Sequence, residues 1–150
     1  MGIGTSNGIH AIGIGALVLL VLASPAKAAD LTVSDAWMRA LPASVPSGGY
    51  FTLHNGGGKA VTLTGASSPG CGMLMLHQSE NMGGMMDMKD VASVNVPAGG
   101  TIKFSPGGYH LMCMDTTKAI QPGKTVPVTL EFGDGTKVVS NFAVRTAAGK

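Results

Sequence analysis

TVPVTLEFGDGTKVVSNFAV, residues 125–144, is the stretch on which the fold turns. Val126, Val128, Leu130 and Phe132 alternate with Thr125, Pro127, Thr129 and Glu131, the period of two that a half-buried strand requires. Gly133-Asp134-Gly135-Thr136 then interrupts the run before a second β-rich segment, Lys137–Val144. An Asp-Gly pair suits the positive φ values of a tight two-residue turn, so a hairpin is predicted here. The two strands hold no His, Met or Cys and read as scaffold.

Outward from this hairpin the same grammar repeats. Short alternating or β-branched runs predict strands at Leu31–Met38, Gly49–His54, Ala60–Ala66, Gly72–Gln78, Met85–Val91, Thr101–Phe104 and His110–Asp115. The separators carry turn chemistry: Asn55-Gly56-Gly57-Gly58, Pro69-Gly70, Pro97-Ala98-Gly99-Gly100, Pro106-Gly107-Gly108 and Pro122-Gly123. No stretch has the pattern of a three-turn helix. Many short strands with regular turn signals predict a single all-β domain, a sandwich or barrel.

At the other end of the chain the first 29 residues read as a secretory signal peptide. Ala11–Ala23 is a short apolar run, and Ala26-Lys27-Ala28 gives the small-x-small pattern before a cleavage site. The apolar run is shorter than a comfortable bilayer span, although the segment ahead of it has no Lys or Arg, which leaves a retained anchor as the alternative. The expected mature chain is 30–150, exported to the periplasm, without stable membrane insertion after cleavage. It carries nine basic and eight acidic residues, once Lys27 leaves with the leader. So even a balance offers no field for nucleic acid or anionic lipid. In an oxidising compartment Cys71 and Cys113 are expected to bridge or to be buried as thiols; the alternative makes one of them a metal ligand.

The chemistry lies in the middle. Eight of the ten methionines fall between Met73 and Met114, together with His77 and His110. Thioether sulfur is a soft, uncharged ligand that favours Cu(I) over hard ions. His110 and Met112, two apart in a strand, emerge on one face. His77 near the end of its strand and Met88 on the strand returning from Gly83-Gly84 can reach the same end of the sandwich. His77, Met88, His110 and Met112 are therefore the expected ligands of a four-coordinate Cu(I) site, none needing to lose a proton at neutral pH. His54, before Asn55-Gly56 in a turn, has no Met at strand or loop spacing and reads as structural. Met73 and Met75 share the parity of His77 and are expected to pack in the core rather than serve as reserve ligands. Met114 is expected to support the site, and Met82, Met85 and Met86 to form a mobile surface that takes up or passes on metal.

The spacing His-x10-Met-x21-His-x-Met, with Asp35-Ala36-Trp37, Leu53-His54-Asn55 and Gly107-Gly108-Tyr109-His110-Leu111-Met112, resembles the periplasmic copper chaperones of the PCuAC type. The likeness spans roughly Asp30 to Arg145. It implies a cupredoxin-like Greek-key β-sandwich with an exposed Cu(I) site. It also implies copper delivery towards the dinuclear copper centre of cytochrome c oxidase, with the oxidase copper subunit or a Sco-like thioredoxin-fold protein as partner. Two departures stand out. Many relatives place Met after the first His, where this chain has Gln78, and the C-terminal Thr146-Ala147-Ala148-Gly149-Lys150 lacks the His- and Met-rich tail that some members use for Cu(II).

Rival functions fare worse on the residues. A blue-copper electron carrier needs a closing loop in the order Cys, His, Met, whereas Cys113 follows His110 and Met112. No triad order, zinc pattern, P-loop or paired-acid motif points to an enzyme. Copper sequestration or resistance uses the same ligands without a dedicated recipient.

Overall fold

A computed structural model describes Gly4 and residues 30–150; the expected leader, residues 1–29, lies outside the described residues apart from Gly4. Ten strands make up the fold: β1 (Leu31–Arg39), β2 (Ser47–Asn55), β3 (Val61–Ser67), β4 (Cys71–Met82), β5 (Met85–Asp90), β6 (Val94–Val96), β7 (Thr101–Phe104), β8 (Tyr109–Thr116), β9 (Thr125–Phe132) and β10 (Lys137–Arg145). No helix occurs among the described residues. The predicted strands are all present, with β4 running four residues further than expected, to Met82, and Val94–Val96 added as a short edge strand.

The strands form one continuous order, β5-β4-β8-β2-β1-β10-β9-β3-β6, with β7 also paired to β2. β2 is the corner. One of its edges pairs with β1, while the other meets β8 at Ser47–Gly49 and β7 at Phe51–His54. Among the described residues only β1 and β10 run parallel, at Trp37–Arg39 against Ala143–Arg145. The order curls until β3 lies beside β4, which closes the sandwich around its core.

The alternation read from residues 125–144 sets that core. Val126, Val128, Leu130 and Phe132 point inward with Phe142 and Val144 of β10. They meet Phe51, Leu53, Phe104, Leu111, Leu74 and Leu76 from the opposite layer. Phe51 and Phe104 stack at a centroid distance of 4.4 Å. Cys71 and Cys113 are bridged, their Cα atoms 5.3 Å apart, with Cys113 fully buried in this core. Neither cysteine is left to ligate a metal.

Two turns exchange the roles expected of them. In the β9–β10 hairpin only Gly135 has positive φ (86°), and Asp134 does not. The carbonyl of Phe132 accepts from Gly135 N (3.0 Å), while Phe132 N donates to Thr136 O (2.9 Å). This is a longer loop closed by a glycine bulge rather than the two-residue turn predicted, and Asp134 Oδ1 accepts from Thr136 N to hold it. The tight two-residue turn is Gly83-Gly84, where both φ values are positive (61° and 91°) between the paired Met82 and Met85. Two consecutive residues of positive φ suit glycine best, with Asn or Asp accepted at the first.

Candidate metal centre

Residues opposite one another in a ladder share a face, and alternate residues along a strand return to it. Across β4 and β8, His77 pairs with His110, Met75 with Met112 and Met73 with Met114. Across β4 and β5, His77 pairs with Asp90 and Ser79 with Met88. All four expected ligands therefore lie on one face of the β5-β4-β8 sheet. It is the outward face, because Leu74 and Leu76 of β4 and Leu111 of β8 take the inward one.

That face is walled by the neighbouring strands. Gly48 lies opposite Met112, and the Tyr50 ring folds back over it; a Cβ on Gly48 would meet Tyr50 Cζ at 2.8 Å. A bulge between Ser34 and Trp37, with Asp35 at φ 51°, sets Trp37 beside Tyr50 at a centroid distance of 4.6 Å. The Arg39 guanidinium lies over both rings, at 5.6 and 5.5 Å. The cleft so formed holds about 150 Å³ and brings Met88, His110 and Met112 together with Arg39, Ser47 and Tyr50.

The imidazoles are set for lone-pair donation. His110 Nδ1 donates to the carbonyl of Gly108 (3.1 Å), since a carbonyl can only accept, which leaves Nε2 with its lone pair free. Burial holds the His110 pKa below its usual value; the Gly108 hydrogen bond opposes this and the His77 ring adds to it. A neutral imidazole is the form a metal needs. His77 is 7% exposed, with its ring centroid 5.8 Å from that of His110. Its Nε2 lies 2.8 Å from Asp90 Oδ1 without hydrogen-bond alignment, and its Nδ1 is buried with no partner. A buried ring nitrogen without a partner is costly unless something outside the chain satisfies it.

The donor set is selective by what it omits. Among the described residues no three His, Cys, Asp or Glu side chains come together. Two imidazoles and two thioethers fit a soft d¹⁰ ion. With both cysteines bridged, the thiolate of a blue-copper centre is absent as well.

Of the other residues singled out, Met73 and Met75 fall differently from expectation. Met73 is 53% exposed and Met75 and Met114 are half-buried, so none packs the core; their parity with His77 puts them on the outward face. Met82, Met85 and Met86 are exposed around the Gly83-Gly84 turn. His54 donates to or accepts from Thr101 Oγ1 at 2.9 Å, away from the cleft. Its neighbour Asn55, fully buried, organises the 56–59 turn through Lys59 O (2.8 Å), Val96 O (3.2 Å) and Gly57 N (3.0 Å). Sequence reasoning missed Asp90, Tyr50, Arg39 and the Gly108 carbonyl. Asp90 was within reach: residues equidistant from the Gly83-Gly84 turn must pair, and His77 and Asp90 are equidistant.

Comparison with known proteins places this architecture. The family model described as "Putative lipoprotein LpqE-like" matches residues 31–144. The chain belongs to the LpqE-like family. A relative described as putative lipoprotein Lxx21020, from Leifsonia xyli subsp. xyli, is 33% identical over 75% of this chain and 68% of its own. The solution structure of CuI-DR1885 from Deinococcus radiodurans is 30% identical, covers 78% of this chain and 77% of that one, and has a TM-score of 0.61. The copper-bound PCuAC domain from PmoF2, at 20% identity over 77% of this chain and 92% of that one, has a TM-score of 0.63 and speaks for the fold alone. The LpqE-like chain thus has the cupredoxin-like β fold of PCuAC domains, as the resemblance implied.

Proposed function

We propose that this LpqE-like chain is an exported metallochaperone that carries Cu(I) as cargo on His77, Met88, His110 and Met112. One observation carries the reading: the unpartnered His77 ring, the His110 Nε2 left free by the Nδ1–Gly108 bond and two thioethers share one outward face beside an open cleft. The 30% identity to a protein whose structure is described as its Cu(I) form supports it. The first 29 residues act as the leader that exports the chain to the periplasm, and the mature chain begins near Ala29 or Asp30. Both cysteines are committed to the bridge, so neither is free to carry a lipid.

Transfer follows from the ligand set. Thioethers and neutral imidazoles bind and leave without moving a proton at neutral pH, so a partner's sulfur can enter as Met88 or Met112 departs. Met88 is the natural leaving ligand, because β5 is exposed along its whole length and pairs only with β4. The recipient is the copper subunit of cytochrome c oxidase or a Sco-like thioredoxin-fold protein, towards the dinuclear copper centre.

Two measurements test this. In competition with a Cu(I) chelator, Met88→Ala and Met112→Ala should each weaken binding by at least about tenfold, or ~1.4 kcal/mol. Met85→Ala, on the opposite face of the hairpin, should change nothing. Equal losses in all three would refute the site. Cu(I)-loaded protein should then pass its metal to a purified oxidase copper domain; retention against every such acceptor would mark a sequestering protein instead.

A further inference from the structure

The outward face of β4 and β8 carries more soft ligands than one copper ion needs. His77/His110, Met75/Met112 and Met73/Met114 are three successive same-face rungs. Such rungs are about 7 Å apart, two residues of strand. Three of these side chains, Met73, Met75 and Met114, have no part in the four-ligand site. Core packing does not account for them either: Met73 is 53% exposed and Met75 and Met114 are half-buried on the outward face, while the inward-facing Leu74 and Leu76 are 8% and 4% exposed. The Cys71–Cys113 bridge ties the two strands together at this end of the ladder, which fixes the rungs relative to one another.

We propose that Met73, Met75 and Met114 form a second, weaker Cu(I) site, continuous with the first through the Met75/Met112 rung. This rests on the reading that the chain carries Cu(I). Three uncharged sulfurs favour a soft monovalent ion and bind harder ones poorly. Met73 and Met114 face each other directly, and Met75 stands diagonally across from Met114, within reach of a long flexible side chain. Passage between the sites is ligand exchange alone. Met75 sulfur first replaces His77 or Met88 while Met112 stays attached; Met73 and Met114 sulfurs then bind as His110, the remaining first-site ligand and finally Met112 leave, and neither electrons nor protons are exchanged. The second site is weaker because three mobile methionine side chains must be ordered on binding, whereas His77 and His110 are already buried and fixed. The ladder would thus give cargo two positions, one deep in the cleft and one on open sheet where a recipient can approach.

Methionine ε-methyl NMR of the mature protein tests this, with Ag(I) as a diamagnetic, redox-inert stand-in for Cu(I). The first equivalent should move the Met88 and Met112 signals, and the second those of Met73, Met75 and Met114. In chelator competition the second equivalent should be stripped at about tenfold lower chelator or less. The Met73→Leu/Met75→Leu/Met114→Leu variant should lose the second equivalent and keep the first. A second equivalent that does not bind, or that moves only Met82, Met85 and Met86, overturns the proposal, and the unmodified protein alone suffices to show it. If instead the first equivalent leaves Met88 and Met112 unmoved, the four-ligand reading fails, while shifts at Met73, Met75 and Met114 would still uphold the ladder site.

Discussion

Asp90 and His110 carry the consequences that belong to single residues. Asp90 is largely exposed, yet it faces His77 across the β4–β5 ladder with Oδ1 2.8 Å from Nε2. A carboxylate there can accept from Nε2–H once the two groups come into line, which leaves Nδ1 to the metal, and removing such an outer partner commonly costs about 10–100-fold in affinity. Asp90→Ala should therefore weaken Cu(I) binding by about tenfold, the low end for an exposed group, with no change in the urea midpoint of the metal-free protein. A wild-type affinity would show that His77 needs no guide. His110 gives a pH dependence. Its folded pKa is lowered, so as pH falls through the ordinary imidazole range the unfolded chain takes up its proton first. The contribution of this group is fully present above that range and is lost as pH drops towards the folded value. Urea midpoints of the metal-free protein should decline from pH 7.5 to pH 5.5, and His110→Gln should flatten that decline. Parallel profiles for the two proteins would remove His110 from the account.

The β4–β5 hairpin is the element on which the site depends most and the core depends least. Every residue of β5 is exposed, and its partners are β4 and the Lys89–Glu80 ion pair (2.7 Å). Yet it brings Met88 to the cleft. Gly84 has φ 91°, where a β-branched side chain is strained by about 1–3 kcal/mol. Gly84→Val should relieve that strain by opening the hairpin locally, weakening Cu(I) binding at least about tenfold while the thermal midpoint stays within a few degrees. A large fall in the midpoint with affinity intact would show the reverse dependence. At this scale the limits of reading a sequence are also plain. The alternation of Val126, Val128, Leu130 and Phe132 exposed the scaffold, and the His-Met spacing named residues that do share one face. The parity of Met73 and Met75 with His77 was equally readable, but period two fits either face when both carry apolar side chains. Leu74 and Leu76, opposite Cys113 and Leu111, took the inside and left the methionines out. Val94–Val96 is too short to show a period, and the Gly108 carbonyl, a backbone group, has no signature at all.

For the whole molecule, the Cys71–Cys113 bridge joins stability to function. It ties β4 to β8, the two strands that carry His77, His110 and Met112, and its Cys113 lies in the core while the flanking Met112 and Met114 face outward. The residues are 42 apart in sequence, and closing a loop of that size in the unfolded chain is worth about 3–4 kcal/mol. Beyond the β4–β8 ladder itself and the approach of β3 to β4, this corner has little support, since β5 adds little and β2 meets β8 over only three residues. Cys71→Ser/Cys113→Ser should therefore lower the unfolding free energy by about 3–4 kcal/mol, read from urea transitions of the metal-free protein. Cu(I) bound to the folded ladder should restore part of that loss, growing with the logarithm of its concentration above the dissociation constant. A chelator such as bicinchoninate, used to buffer free Cu(I), lets the two effects be separated. If the bridge serves the core alone, the double variant will be less stable yet bind Cu(I) as tightly as the native protein once folding is saturated. If it also holds the register of the ladder, affinity will remain reduced even where the variant is fully folded, and we expect the second result because the site and the bridge share the same pair of strands.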